Sequence, residues 1–217
     1  MISEQAIVDK SSRLESSVEV GPFSVVGKEV EIGKNVKIQS HVVITGNTSI
    51  SDNCDIYSFA SIGSTPQDLK FKGEKTKLII GKKNKIREYV TINPGTEHGG
   101  GVTIIGDNCL FMISSHIAHD CKIGNNVIIA NNVAIAGHVE IDDNVIIGGN
   151  SAVQQFTRIG KLAMIGGMTG VEKDVIPYGL VTGNRSNLEG INIIGLKRAG
   201  CSSEEINGLN QAVKLIF

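Results

Sequence analysis

The sequence predicts an all-β solenoid, and two repeating features of the chain indicate it. Large apolar residues recur at every sixth position from Ile2 to Ile62, resume at Ile80, and recur again from Ile105 to Val171. A small or β-branched residue follows four positions after each large one in these runs. Self-similarity at a short fixed period is typical of stacked repeat architectures.

A period of six fits a coil built from three short strands. An α-helix repeats roughly every 3.6 residues and a half-exposed strand alternates in twos, so neither produces this period. Three hexads close a triangular coil of 18 residues, and such coils stack at about 4.8 Å, the usual spacing of paired strands. The large residues then fill the interior, and the corners need residues that tolerate left-handed backbone angles. Asparagine recurs at this corner position: Asn35, Asn47, Asn53, Asn108, Asn126, Asn132, Asn144 and Asn150.

Charge and hydropathy exclude several classes of function. The chain has 21 Lys plus Arg against 22 Asp plus Glu, so a formal net charge of -1 provides no broad basic field for nucleic acid. No apolar stretch approaches the roughly 18 residues that a spanning helix needs, and the N-terminal residues lack the pattern of a secretory leader. We therefore expect a cytoplasmic protein without integral membrane association or a nucleic-acid partner.

The four cysteines indicate neither a disulfide framework nor a structural zinc site. Cys54, Cys109, Cys121 and Cys201 form no C-x-x-C pair and show no tight spacing. Cys54, Cys109 and Cys121 occupy the small inward position of a hexad. They are therefore interpreted as reduced core residues.

The hexad pattern also predicts the domain organisation. A β-solenoid domain is expected over residues 1–187, with loops inserted at 64–79 and 94–101, and a helical region starts over 188–217. In that region Ser202 has the spacing of a capping box with the glutamate three positions later. An apolar stripe follows at helical spacing: Ile206, Leu209, Val213 and Ile216.

The two loops are candidate binding segments. Loops on a rigid scaffold can form a site without disturbing the stack, and the loop 64–79 carries Gln67, Asp68 and Lys70 close together. The glycine-rich loop 94–101 lacks the GK[ST] signature and the strand-to-helix context of a phosphate-binding loop. We therefore do not expect it to bind phosphate.

The histidines provide the clearest candidate for chemistry. Asp120 and His138 are 18 residues apart, so they are expected to stack on successive coils, with His119 beside them. All three should point outward or lie at a corner, and Gly137 and Gln155 should lie in line above His119. A histidine beside a carboxylate can act as a general base, because the carboxylate fixes the tautomer and stabilises the imidazolium. The alternative is that these are corner residues hydrogen-bonded to the next coil.

Several segments resemble a known family. They read IYSFASIGSTPQDLKFKGE, IREYVTINPGTEHGGG, SSHIAHDCKIGNN, ANNVAIAGHVEIDD and GINIIGLKRAG. The chain resembles the hexapeptide-repeat acyltransferases, and among them the UDP-N-acetylglucosamine O-acyltransferases of lipid A biosynthesis. This resemblance implies a left-handed parallel β-helix of hexapeptide repeats with a C-terminal α-helical segment, assembled as a homotrimer. The family carries a longer C-terminal helical region.

The resemblance also implies an activity without a cofactor. An (R)-3-hydroxyacyl group would pass from acyl carrier protein to the 3-hydroxyl of UDP-N-acetylglucosamine, the first step of lipid A biosynthesis. His119 would be the general base, Asp120 would orient it, and the Gly137 amide would bind the oxyanion. Gly167 would form the floor of the acyl pocket, although it could equally be a turn residue. The implied substrate-binding residues are Gln67, Asp68, Lys70, His116, His138, Gln155, Gly167, Asn192 and Arg198.

The sequence departs from the family pattern at three positions. Gln154 stands where a histidine is common, while Ile194 and Ala199 replace an acidic residue and an arginine. These replacements put nucleotide contacts near Ile194 and Ala199 in doubt, and Lys197 and Arg198 could instead meet the acidic surface of acyl carrier protein.

Three alternatives to this O-acyltransferase remain open. The first is an N-acyltransferase acting on a 3-amino sugar nucleotide, and the second is a non-catalytic trimeric scaffold. The third is a zinc site, because trimeric carbonic anhydrases of the same superfamily bind metal through three histidines, here His116, His119 and His138. The spacing of H-I-A-H differs from theirs, so no metal is expected.

Overall fold

The computed structural model describes residues 1–217, and its three walls are β-sheets in which all strands pair parallel except the last, β27. The first wall contains β1 (Ile7–Val8), β4 (Val25–Val26), β7 (Val43–Ile44), β10 (Ser61–Ile62), β13 (Thr91–Ile92), β16 (His116–Ile117), β19 (Ala134–Ile135), β22 (Ala152–Val153) and β25 (Gly170–Val171). The second wall contains β2 (Arg13–Leu14), β5 (Glu31–Ile32), β8 (Asn47–Ile50), β11 (Lys77–Ile80), β14 (Val102–Ile105), β17 (Lys122–Ile123), β20 (Glu140–Ile141) and β23 (Arg158–Ile159). The third wall contains β3 (Glu19–Val20), β6 (Lys37–Ile38), β9 (Asp55–Ile56), β12 (Lys85–Ile86), β15 (Leu110–Phe111), β18 (Ile128–Ile129), β21 (Ile146–Ile147), β24 (Met164–Ile165), β26 (Gly179–Thr182) and β27 (Asn187–Ile191).

Successive coils stack in the register that the hexads predict. Ile117 pairs with Ile135, and Ile135 pairs with Val153, each 18 residues further along the chain. The two coils that carry loops are longer, so Ile50 pairs with Ile80 and Ile80 with Ile105. The all-β solenoid predicted from the period of six is therefore confirmed.

The large apolar residues form one continuous interior. A single cluster of 40 buried residues runs along the solenoid, with Phe111 as its one aromatic member. Cys54, Cys109 and Cys121 belong to it as predicted. Burial raises the pKa of the Cys54 and Cys109 thiols to about 11 and that of the Cys121 thiol to about 12, so all three stay protonated at neutral pH.

The corners adopt the left-handed backbone conformation. Seven of the eight predicted corner asparagines have a positive φ: Asn35, Asn53, Asn108, Asn126, Asn132, Asn144 and Asn150. The prediction for Asn47 is wrong, because this residue opens β8 and Gly46 before it takes the positive φ of 66°. The corner there is shortened, so the asparagine falls in the strand.

Both loops leave the solenoid at the same corner, between the first and second walls. One runs from β10 to β11 over residues 63–76, and the other runs from β13 to β14 over residues 93–101 and contains a 3-10 turn, Glu97–Gly99. Loop 63–76 ends three residues earlier than expected, because Lys77–Ile80 pairs with both neighbouring strands of the second wall. The same corner carries His119 and Asp120 between β16 and β17.

The C-terminal residues close the third wall and then become helical. Strand β27 pairs antiparallel with β26, and helices α1 (Ile193–Arg198) and α2 (Ser203–Ile216) follow. Helical structure thus starts at Ile193, five residues beyond the expected 188, and the Ser202 capping box is present. Ile206 of the predicted stripe is buried, whereas Ile216 is exposed. Neither helix has the length and apolarity needed to cross a bilayer.

The alternation of inward and outward residues predicts a sharp contrast within one strand. Ile141 of β20 is 2% exposed, and replacing it with alanine should lower the free energy of unfolding by about 2–5 kcal/mol. The adjacent Glu140 points outward and binds Lys122 Nζ at 2.8 Å. Its replacement should cost at most about 1 kcal/mol, because exposed ion pairs contribute little. Equal midpoints of Ile141→Ala and Glu140→Ala in urea unfolding would contradict this arrangement.

Candidate active site

His119 and Asp120 form a close buried pair at the corner between the first and second walls. His119 Nδ1 lies 2.7 Å from Asp120 Oδ2, and the two side chains are 10% and 0% exposed. Because a carboxylate only accepts, the Nδ1 proton is donated to Asp120, so in the neutral ring the lone pair is on Nε2. The pair has the arrangement that a general base requires.

The His119 ring is less exposed than an outer-wall position led us to expect. Loop 93–101 lies over the corner and covers the adjacent Asp120. Thr96 of that loop donates to Asp120 from its backbone N (2.8 Å) and from its Oγ1 (2.6 Å). Asp120 N in turn donates to Thr103 Oγ1 at 2.8 Å. Sequence reasoning missed both threonines, because 24 and 17 residues separate them from Asp120 and no repeat relates them.

His138 stacks on the next coil, where the 18-residue spacing predicted it. Its backbone N donates to His119 O at 3.0 Å, its Nε2 lies 3.9 Å from Asp120 Oδ2, and its ring meets the His119 ring edge-on at a centroid distance of 5.1 Å. Phe156, one coil further, stacks on His138 at 4.4 Å. The histidine column therefore ends against an aromatic ring that sequence reasoning did not single out.

Gly137 lies directly against the imidazole of His119. A Cβ at this position would stand 2.6 Å from His119 Cε1 and 2.8 Å from Nε2, closer than real side chains approach. The Gly137 amide donates no hydrogen bond within the chain, while its carbonyl accepts from Phe156 N at 3.2 Å. The residue that packs against the His119 ring thus carries a backbone N–H without a partner in the chain.

His116 lies on the adjacent strand, with its Nδ1 2.7 Å from Thr91 Oγ1. Burial, followed by the charge of nearby His119, lowers the pKa of His116. Burial also lowers the pKa of His138, although Asp120 acts in the opposite direction. Both rings are therefore neutral at pH 7 and able to accept or donate hydrogen bonds.

Loop 63–76 brings further predicted residues to the same corner. Asp68 and Lys70 lie close enough to His138 for their charges to influence its pKa. Gln67 and Gln155 are exposed, as expected for groups that could contact a ligand. Gln67, Asp68, Lys70 and Gln155 thus lie on the same corner of the chain as His119 and Asp120.

Three other predicted residues lie elsewhere on the chain. Asn192 and Arg198 lie at α1 against the third wall, and Gly167 is on the corner between the third and first walls. The Asn192 amide makes two hydrogen bonds within the fold: its Nδ2 donates to Leu162 O, and its Oδ1 accepts from Gly195 N as the N-cap of α1. At Gly167, neither a positive φ nor packing requires glycine, since an added Cβ would stay 3.4 Å from Gly149 O.

A largely apolar groove of about 930 Å³ separates α1 from the third wall. Its floor is a column of outward residues on successive strands, namely Ile128, Ile146, Met164 and Leu180. Asn192 and Arg198 line its edge. One chain therefore presents two separate surfaces, a histidine corner and an apolar wall.

The only cluster with the geometry of a metal site is the histidine corner itself. One ligand atom each from His119, Asp120 and His138 lies within 4.8 Å of the others. Both oxygens of Asp120 are already occupied, by the Thr96 backbone N–H on one side and by Thr96 Oγ1 and His119 Nδ1 on the other. A metal would have to displace these donors, so the arrangement favours the hydrogen-bonded pair.

The fold and this corner together define a hexapeptide-repeat acyltransferase. Residues 11–46 and 102–137 match the family model described as bacterial transferase hexapeptide (six repeats). Residues 174–217 match the model described as UDP N-acetylglucosamine O-acyltransferase, domain 2. These matches extend over both the solenoid and its helical end.

Full-length relatives identify the family. The chain is 48% identical to the acyl-[acyl-carrier-protein]–UDP-N-acetylglucosamine O-acyltransferase of Thermodesulfovibrio yellowstonii over 100% of its own length and 84% of that protein. Its match with the Paracoccus denitrificans enzyme of the same name is 56% identical and covers 71% of the chain and 59% of that protein. The solved UDP-N-acetylglucosamine O-acyltransferase of Moraxella catarrhalis superposes with a TM-score of 0.97 at 46% identity, covering 100% of this chain and 84% of that one. The chain belongs to the acyl-[acyl-carrier-protein]–UDP-N-acetylglucosamine O-acyltransferase family, and its fold is the left-handed parallel β-helix that the resemblance implied.

The lowered pKa values of His116 and His138 predict how the stability of the fold depends on pH. Both rings should titrate below the usual histidine value of about 6.5, which NMR of ring-labelled protein would measure directly. As the pH falls below that value, the unfolded chain binds protons that the folded chain does not, so stability should decrease. Ring titrations at or above the usual value would contradict the assigned burial.

Proposed function

We propose that the chain transfers an (R)-3-hydroxyacyl group from acyl carrier protein to the 3-hydroxyl of UDP-N-acetylglucosamine, the first step of lipid A biosynthesis. The observation that carries this proposal is the setting of His119: Asp120 holds its Nδ1 at 2.7 Å, and Gly137, whose N–H has no partner in the chain, packs against Cε1 and Nε2 of its ring. The named relatives support the choice of donor and acceptor. The residues of the corner alone define only the reaction type.

The proposed reaction proceeds by direct attack on the thioester. His119 Nε2 accepts the proton of the sugar hydroxyl as its oxygen bonds to the thioester carbonyl carbon. The Gly137 N–H donates to the oxyanion that forms, and Asp120 stabilises the imidazolium. The carbon–sulfur bond then breaks, and the departing thiolate of the carrier takes the proton from His119. No cofactor enters these steps.

The positions of the remaining predicted residues support a shared site between subunits. Asp68, Lys70, His116 and His138 lie near the base, whereas Asn192 and Arg198 lie on the third wall with the apolar groove. In a homotrimer, the third wall of one subunit would face the histidine corner of the next. The groove would then receive the acyl chain beside Gly167, and the exposed Lys197 and Arg198 would attract the acidic carrier protein.

The cytoplasmic location expected from the sequence remains part of this proposal. All four cysteines are unpaired, which agrees with a reducing compartment. A 3-amino sugar nucleotide is the alternative acceptor, because the same base could accept a proton from an amine. The buried, hydrogen-bonded pair of His119 and Asp120 argues against a non-catalytic scaffold, because a scaffold does not require it.

Replacing the proposed base should abolish transfer without disturbing assembly. His119→Ala should lower kcat by at least about 1,000-fold, in keeping with the contribution of a general base and its network. His41→Gln is the matched control, because His41 lies at a distant corner stacked between Phe23 and Phe59, and it should leave turnover within about twofold. Near-normal turnover by His119→Ala, with a size-exclusion profile like that of the parent, would refute the assigned base.

The donor and acceptor can be identified in one further experiment. The purified chain is incubated with 3-hydroxyacyl carrier proteins of several chain lengths, together with UDP-N-acetylglucosamine or its 3-amino analogue. Mass spectrometry of the products is expected to show an ester of the 3-hydroxy sugar. Product from the amino analogue alone would support N-acyl transfer instead, and no product from either acceptor would support the scaffold.

A further inference from the structure

The glycine-rich loop 93–101 is the one sequence motif that the proposed reaction does not use. It lies over the histidine corner and contributes no group to the proposed transfer itself. Its closest polar contacts are with Asp120, through Thr96. Thr96 is 2% exposed and Asp120 is 5% exposed, so these contacts are shielded from water.

A buried carboxylate needs several donors, because burying an ionised group without them costs several kcal/mol. Asp120 has three donors to its oxygens, and Thr96 supplies two of them. Oδ2 is shared between Thr96 Oγ1 and His119 Nδ1, at 2.6 and 2.7 Å. The threonine hydroxyl and the histidine therefore hold the same oxygen from two directions, which fixes the orientation of the carboxylate.

The glycines of the loop allow this close approach. A Cβ at Gly99 would overlap the carboxylate of Asp120, and a Cβ at Gly95 would overlap the backbone of Val102. Gly100 and Gly101 adopt positive φ angles of 96° and 80° that bring the chain back into β14. Gly99 is thus explained by its contact with Asp120, and the other glycines by the path of the loop. A phosphate ligand is not needed to explain the composition of the loop.

We propose that Thr96 is a positioning residue, whose hydroxyl holds Asp120 so that Asp120 in turn holds His119 in the reactive orientation. The inference rests on the proposed role of His119 as the general base. Thr96 itself does not contact the reacting atoms. Its hydroxyl acts only through the carboxylate that it shares with the histidine.

The isosteric variant Thr96→Val tests the hydroxyl alone, because it preserves the backbone N–H bond to Asp120. With 3-hydroxyacyl carrier protein and UDP-N-acetylglucosamine as substrates, kcat should fall roughly 10- to 100-fold, since small misplacements of a catalytic group have effects of this size. KM for the sugar nucleotide should stay within about threefold, because ground-state binding is untouched. Thr96→Ser restores the donor and should recover kcat to within about threefold of the parent.

A matched control separates positioning from packing. Thr169 is also buried, and its Oγ1 has no hydrogen-bond partner, so Thr169→Val removes a buried hydroxyl without removing a bond. Its kcat should match that of the parent, and its melting temperature should be equal or higher, because an unsatisfied buried hydroxyl is removed. If Thr96→Val lowered the melting temperature and raised KM while kcat stayed unchanged, a merely structural role would replace the proposal.

A double-mutant cycle with Asp120 decides whether Thr96 acts through that carboxylate. In an Asp120→Ala background, assayed at high enzyme concentration, Thr96→Val should lower the residual kcat by less than about twofold. An equal loss in both backgrounds would overturn the inference. His119→Ala is measured in the same series, so the two failures can be told apart. An inactive His119→Ala together with a fully active Thr96→Val would refute only the role of Thr96. An active His119→Ala would refute the proposed function.

Discussion

The stacking of each coil on the one before it fixes the geometry of the whole molecule. Backbone hydrogen bonds join residues one coil apart, and two of them lie in the site: His138 N to His119 O at 3.0 Å, and Phe156 N to Gly137 O at 3.2 Å. The distance between the proposed base and the proposed oxyanion donor is therefore set by the ladder of the scaffold. Groups held on rigid elements keep the small tolerances that catalysis needs. The geometry of the proposed site thus follows from the same contacts that hold the fold together.

Loop 93–101 buries the candidate site, which a ladder of regular short corners would leave exposed. Regular corners are short and leave side chains exposed, so a corner pair such as His119 and Asp120 would be solvated if the neighbouring coils were regular. Loop 93–101 takes the place of the preceding corner and encloses Asp120, which leaves the carboxylate of Asp120 wholly buried. Water exclusion strengthens the hydrogen bond between the two side chains and raises the cost of any missing donor. The buried pair and the loop that covers it consequently depend on each other.

The sequence predicted the features that repeat more completely than the long-range contacts of the loops. The period of six located the interior residues, the walls and the proximity of His138 to Asp120, because each follows from counting residues along the chain. Thr96 could not be placed beside Asp120, since the loop that carries it has no period and its path depends on tertiary contacts. Asn192 was predicted to bind substrate from the family pattern, and that role stays a prediction. The bonds by which its side chain caps α1 and donates to Leu162 O depend on tertiary structure and were not predicted. Asn47 was misplaced because the corner at Gly46 is shortened, which shifts the residue into β8.

Positive φ angles at Asp120 and His138 illustrate why the signals of a functional site depend on the fold. In most folds such angles on charged or bulky residues indicate strain retained for function. Here the values of 59° and 63° are close to the 56° and 60° at Asn126 and Asn144, which lie on another corner far from the proposed chemistry. Left-handed angles are imposed by the corner itself, so they carry no functional information in this solenoid. What distinguishes Asp120 is that a corner position, usually exposed, is buried and occupied by an ionisable group with three donors. In a solenoid, burial at a corner is therefore a better guide to the active site than backbone strain.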